Sequence, residues 1–248
     1  MAAAPPDPAP PPKPAPSPRR RPVAGRLLLT ALLGLGAVAG ATLTWVAAAP
    51  EERLAFDLNA PPDAFTGLRL RLLALSPGAC RATLQRSGLG AAPAPPRPFT
   101  DGCGYDDGVV LSGLALAPAP VMRCPLAAAY ALFERHVLQP AAERRFGARA
   151  VAVGHFGTYA CRNVYHRASG RRSQHATANA LDLASARLST GRVVTVAGGW
   201  DEPGPAGLFL RDLRAGACGL FGTVLSPDYN AAHADHFHLD RGMARICR

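Results

Sequence analysis

The chain has 248 residues, 48% of them hydrophobic, and a formal net charge of +10. That apolar content excludes a wholly disordered chain, and the length suits one medium catalytic domain plus accessories. Residues 1–50 hold a net +4, which leaves +6 for the remainder; this basic remainder suits an anionic polymer such as a cell wall, and no motif points to nucleic acid.

In chain order, residues 1–25 are an Ala- and Pro-rich tail expected to be disordered, with polyproline II character. Arg19, Arg20, Arg21 and Arg26 precede an uncharged run from Leu27 to Ala49, and Glu51 and Glu52 follow it. A run of about 20 apolar residues is long enough to cross a bilayer as a helix. Residues 26–49 are therefore predicted to be a transmembrane signal-anchor, with the tail in the cytoplasm and the remainder outside it. The rival is a signal peptide cleaved near Ala47-Ala48-Ala49, although its apolar core is normally only about 7–15 residues. The expected location is the bacterial inner membrane, single-pass, with the ectodomain in the periplasm. All six cysteines lie after the run. An oxidising compartment would pair them, in any of about 15 connectivities.

Residues 50–120 read as an accessory segment with helices near 65–75 and 80–86, a Pro-rich loop over 91–98, and a strand over 109–111. Asp106 and Asp107, in a Gly-rich stretch, read as solvated turn formers rather than ligands of a hard cation. Residues 121–248 alternate between the two periodicities. A helix is predicted from Pro125 to about 138 and another from Pro140 toward 146. Strands follow over 148–156, 179–184 and 192–196, with a turn at Ser189-Thr190-Gly191. A helix over 206–220 would place Leu208, Leu210, Leu213 and Ala217 on the core. A last strand is expected over 236–240. The fold class expected is α+β, a small antiparallel sheet with flanking helices.

Three of the seven histidines fall in His233-Ala-Asp-His236-Phe-His238. On a strand His236 and His238 share one face, while Phe237 and Leu239 face the core. Asp182 alternates with Leu181 and Leu183 in the same way, so a neighbouring strand would set its carboxylate beside the imidazoles, and His175 would close the site from the preceding loop. Catalytic zinc commonly takes three protein ligands, here His175, Asp182 and His238; it lowers the pKa of water to about 7 and polarises a scissile carbonyl. Asp235 and His236 are the candidates for handling protons. His233 would contact substrate or support a ligand. His136, His155 and His166 carry no such pattern.

The segment Ser173-x-His175-x-x-Ala178-x-Ala180-x-Asp182 resembles the Ser-x-His-x-x-Gly-x-Ala-x-Asp motif of M15-type D-alanyl-D-alanine carboxypeptidases and dipeptidases and of related murein endopeptidases. His233, His236 and His238 are spaced as in the penicillin-insensitive murein endopeptidases. More closely still, Cys124-Pro125-Leu126, Tyr159-Ala160-Cys161-Arg162-Asn163, His175-Ala176-Thr177-Ala178-Asn179-Ala180 and Phe221-Gly222-Thr223-Val224-Leu225-Ser226-Pro227-Asp228-Tyr229-Asn230 resemble the bacterial extensin-like C-terminal domain family, over about residues 55–248.

The resemblance implies a hedgehog/DD-peptidase-like zinc fold, with Zn2+ held by His175, Asp182 and His238 and with peptidoglycan as partner. Arg162 occupies the place of an arginine that contacts substrate in M15-type enzymes. Two departures stand out. Ala178 replaces a glycine, and Asp235 stands where the M15 base is a glutamate, so that His236 would act near the metal. The expected activity is an envelope zinc peptidase cutting an amide bond in peptidoglycan peptides. The rivals are a zinc-containing module that binds the wall without cutting it, and a disulfide-stapled domain without metal.

Overall fold

The computed structural model describes residues 23–48 and 51–248. Most of the expected Pro-rich tail, residues 1–22, and residues 49 and 50 lie outside the described residues. Contacts divide the chain into two units at Thr44/Trp45, each with its own internal contacts.

The first unit contains most of α1 (Val23–Ala48), a helix of 26 residues. Leu28, Leu29, Leu32, Leu33, Leu35 and Val38 on it are all exposed. Among the described residues, no helix is long and apolar enough to cross a membrane. The membrane crossing expected over 26–49 thus rests on the sequence.

The second unit is a mixed α and β structure. Its elements are α2 (Glu51–Leu54), α3 (Thr66–Leu73), α4 (Pro77–Arg86), β1 (Gly90–Pro93), β2 (Arg97–Thr100), β3 (Cys103–Tyr105), β4 (Gly108–Ser112), β5 (Val121–Arg123), α5 (Cys124–Phe133), α6 (Gln139–Phe146), β6 (Ala150–His155), β7 (Ala180–Leu188), β8 (Val193–Thr195), α7 (Val196–Gly199), α8 (Pro205–Leu220), β9 (Thr223–Leu225), β10 (Phe237–Asp240) and β11 (Ile246–Cys247). Single 3-10 turns at Gln174–Thr177 and Ala231–His233, and a tight turn at Val164–His166 with Tyr165 and His166 in the left-handed region, occur in the connections around the cleft. Segments 50–120 and 121–248 share one apolar cluster, in which Leu70 and Leu84 join Leu126 and Phe133.

All ten residues of α5 are buried, including Tyr130 and Phe133. Its alanines let neighbouring elements approach, and its large side chains fill the space between them. A π-helical turn, Glu134–Leu138, leads straight into α6, where Gly147 ends the helix in the left-handed conformation. Glu134 is buried, its carboxylate accepting from Ala115 N at 2.9 and 3.0 Å and from Tyr130 Oη at 2.9 Å; burial pushes its pKa up more than these bonds lower it. On α8 the core stripe is Ala206, Phe209, Leu210, Leu213, Ala217 and Leu220. Leu208, expected to face the core, is exposed, because Phe209 takes the inward position of that turn.

The main sheet runs β11-β9-β10-β7-β6, with β8 also paired to β7. Every pairing is antiparallel except β11 with β9. Two small antiparallel sheets, β1-β4-β5 and β2-β3, complete the fold. The Pro-rich stretch expected as a loop over 91–98 contributes to β1 and β2, both edge strands, where a proline costs no ladder donor. Asp107 is buried and accepts from Arg123 Nε at 2.7 Å, so it braces β5 instead of standing in solvent.

Disulfides join Cys80 to Cys124, Cys103 to Cys161 and Cys218 to Cys247. They tie α4 to α5, β3 to the segment before the cleft, and α8 to β11.

Candidate metal centre

β10 lies beside β7 with His238 directly opposite Asp182, Phe237 opposite Leu183 and Leu239 opposite Leu181. The four apolar residues of this block are buried in the core, with Trp200 edge-on to Phe237. By alternation His238 and Asp182 stand on the other face, where a cleft opens. His175 reaches the same point from its 3-10 turn. Ser173 accepts from His175 N and caps that turn, which ends at Ala178 in the left-handed conformation, φ 52°.

The inward atoms form a nearly equilateral triangle. His175 Nε2 is 3.1 Å from Asp182 Oδ1 and 3.2 Å from His238 Nδ1, and His238 Nδ1 is 3.0 Å from Asp182 Oδ1. Donors bonded tetrahedrally to zinc at about 2.0–2.1 Å stand about 3.3 Å apart, so the triangle needs to open by only a few tenths of an ångström.

The outward nitrogens decide what the inward ones offer. His175 Nδ1 lies 3.2 Å from the Thr158 carbonyl, and His238 Nε2 lies 3.2 Å from Asp240 Oδ2. Both of those oxygens can only accept, so each outward nitrogen carries a proton, and each neutral ring turns a lone pair inward. Two lone pairs and a carboxylate then converge with nothing to separate them but a cation, and each histidine is oriented from behind by an oxygen. Without a metal, a proton fills that role. Burial alone would lower the pKa of His238, but its bonds to Asp182 and Asp240 hold it up at about 9. Burial pushes the Asp182 pKa up, and its contacts with the His175 and His238 rings outweigh that, keeping its carboxyl far below the usual range.

His236, just before β10, places Nε2 3.6 Å from Asp182 Oδ1. Its Nδ1 donates to Asp235 Oδ1 at 2.8 Å. Asp235 is exposed and turned toward this imidazole. His233 packs against the rings of His236 and His238, and its Nδ1 donates to Asn230 Oδ1 at 2.7 Å. Burial first, then the neighbouring histidines, lowers its pKa to about 4, so it is uncharged at neutral pH.

Arg162 lines the same cleft, of about 340 Å³, as do His233, His236 and Tyr229. Its backbone is held by Ser173 N donating to Arg162 O, and Cys161 beside it is in disulfide linkage. Of the other histidines, His136 Nε2 lies 3.0 Å from Leu58 O and His155 Nε2 lies 2.8 Å from Pro118 O, while His166 lines the cleft without joining the triangle.

Sequence reasoning passed over Asp240, Thr158 and Tyr165. Asp240 was legible, being two residues past His238 and so on the same strand face. Thr158 acts through its backbone carbonyl, which no sequence pattern marks. Tyr165, at φ 58°, bonds Oη to Oη with Tyr229 at 2.8 Å, and only the fold brings these two loops together.

The Ser226–Asn230 stretch builds the loop that carries His233. Ser226 donates to Arg248 O, Asp228 accepts from Trp200 Nε1, and Asn230 accepts from His233.

No curated protein and no solved structure matches the chain. The family described as "Extensin-like protein C-terminus" matches residues 78–248, which include every residue of the triangle and of the cleft wall around it. The chain therefore belongs to the extensin-like C-terminal family.

Proposed function

We propose that the protein is a membrane-tethered, zinc-dependent peptidase of the bacterial envelope that hydrolyses an amide bond in peptidoglycan peptides. The observation that carries this reading is the convergence of His175 Nε2, His238 Nδ1 and Asp182 Oδ1, with both outward ring nitrogens committed to acceptors. A zinc ion held there would supply Lewis acidity toward a carbonyl and toward water. The motif resemblance to M15-type peptidases and the penicillin-insensitive murein endopeptidases supports both the reaction and the substrate class.

The chain's own residues divide the remaining work. Asp235 fixes the proton of His236 on Nδ1, which leaves Nε2 free beside the triangle to take a proton from attacking water and return it to the leaving amine. Arg162 brings positive charge to the cleft wall, where it favours the developing oxyanion or an acidic stem peptide. His233 stays neutral and offers Nε2 to substrate. The arginines before α1 and its exposed leucines support a tether in the inner membrane with the second unit in the periplasm.

One observation favours a second reading, a zinc-containing module that grips peptidoglycan without cutting it. The residue at the place of the M15 glutamate, Asp235, is turned to His236 and not to the triangle.

Digestion of purified peptidoglycan by the zinc-loaded full chain distinguishes the two. We expect soluble peptide products, lost together with bound zinc in His238→Ala. In His236→Ala, zinc should be retained while the rate falls about 10²–10⁴-fold. Asp240→Asn should weaken zinc binding about 10–100-fold in a chelator competition. Zinc binding with peptidoglycan retention and no product would establish the second reading; cleavage indifferent to His238→Ala would overturn the first.

A further inference from the structure

Helix α3 is apolar on two opposite sides. Thr66, Leu70 and Leu73 face inward and are buried. Leu68 and half-buried Leu72 of the helix, its N-cap Phe65 and Leu75 just past its C-cap recur at steps of three, four and three residues, which sets them along one stripe on the far side. Phe65 is 64%, Leu68 56% and Leu75 53% exposed. A surface helix ordinarily turns charge to water on that side.

Arginines border the stripe. Arg69 on one flank pairs with Asp63 at 3.1 Å. Arg71 lies on the other flank, and Arg245, from the loop after β10, brings its guanidinium against α3, where a Cβ on Gly67 would stand 3.6 Å from Nη2. Neither Arg71 nor Arg245 has an ion-pair partner among the described residues. Burial first, then the charges of Arg71 and Arg245, lowers the pKa of Arg241 to about 10. Met243, in the same loop, is 96% exposed. Apolar side chains in a stripe, edged by Arg71 and Arg245 without ion-pair partners, have the make-up of a helix lying in the headgroup layer of a membrane, its apolar side about 5–10 Å deep.

We propose that the Phe65–Leu75 stripe, with Met243, Arg71 and Arg245, docks the folded unit onto an anionic lipid bilayer. Charge complementarity selects this occupant. A wall glycan would satisfy the arginines and leave the leucines in water, and a second copy set symmetrically on the stripe would bring like charges together. The inference is independent of the chemistry in the histidine cleft.

Amide hydrogen exchange of the full chain in nanodiscs tests it. Exchange over 65–75 and 241–246 should be slower in phosphatidylglycerol-containing discs than in phosphatidylcholine discs, a comparison that needs no substitution. Arg71→Gln and Arg245→Gln should each weaken the protection, by about fivefold for every arginine lost from the surface. Leu68→Asp should abolish it without changing the melting temperature. Equal exchange in the two lipids would overturn the proposal. So would protection that grows with the number of chains per disc, which assigns the stripe to a second copy, or protection by soluble peptidoglycan fragments without lipid, which assigns it to the wall.

Discussion

His238 lies between two carboxylates, Asp182 Oδ1 3.0 Å from Nδ1 and Asp240 Oδ2 3.2 Å from Nε2, and this sets how the centre responds to pH. Its pKa rises from 6.5 to about 9 on folding, so the stability it contributes to the metal-free protein is full below about 6.5 and is lost as pH climbs through 9. Asp182, whose pKa is lowered, contributes above its unfolded value of 3.8 and loses that contribution as pH falls below it. The metal-free protein should therefore melt at a lower temperature at pH 9 than at pH 6.5. Zinc should reverse the trend, because it takes the proton's place, and calorimetry in buffers of different ionisation enthalpy should detect proton release on binding at pH 7. A metal-free melting temperature that stays flat from pH 6.5 to 9 would contradict the arrangement around His238. At this scale much was legible: alternation along two strands singles out Asp182, His236 and His238, and the same alternation would have singled out Asp240. That Asp235 turns to His236 and not to the triangle was not, because it depends on which way a side chain in a turn points.

At the scale of elements, the turn Gln174–Thr177 shows why one position of the motif matters. Ala178 is buried at φ 52°, a conformation in which an L-residue with a Cβ pays about 1–2 kcal/mol. Glycine there would remove that strain, lose the buried methyl and add freedom to the unfolded chain, terms that nearly cancel. Ala178→Gly should thus shift unfolding free energy by less than about 1 kcal/mol, whereas Ala178→Val should cost about 3 kcal/mol or more, both read from denaturant unfolding. Gly222 has a different reason: a Cβ there would collide with the carbonyl of Gly242, which the chain after β10 brings alongside. Helices α3, α4, α5, α6 and α8 were legible within a few residues, α5 and α6 from their proline starts and α8 from apolar spacing, although α4 begins at Pro77 inside the stretch read as a break before residue 80. The short strands β1 and β2 were not, because local composition reads as loop and only pairing with β4 and β3 makes them strands.

Across the whole molecule the three disulfides close loops with separations of 44, 58 and 29 residues. Loops of this size are each associated with about 3–4 kcal/mol. Cys103–Cys161 has a second consequence, since Cys161 adjoins Arg162 and Ala160 N donates to the His175 carbonyl. Replacing Cys103 and Cys161 by serine should lower the melting temperature and weaken zinc binding together; replacing Cys218 and Cys247 should lower the melting temperature with less effect on zinc, as followed by thermal unfolding and chelator competition. Sequence by itself determined the helices, the alternation that turns Asp182 and His238 away from the core, and the presence of six cysteines able to pair, because these follow from local periodicity and composition. Tertiary structure decided the cysteine partners, the β7–β10 register that sets His238 opposite Asp182, and the Thr158 carbonyl that turns the His175 lone pair inward. Those depend on contacts between residues far apart in the chain, which the packing of the fold selects and no local pattern records.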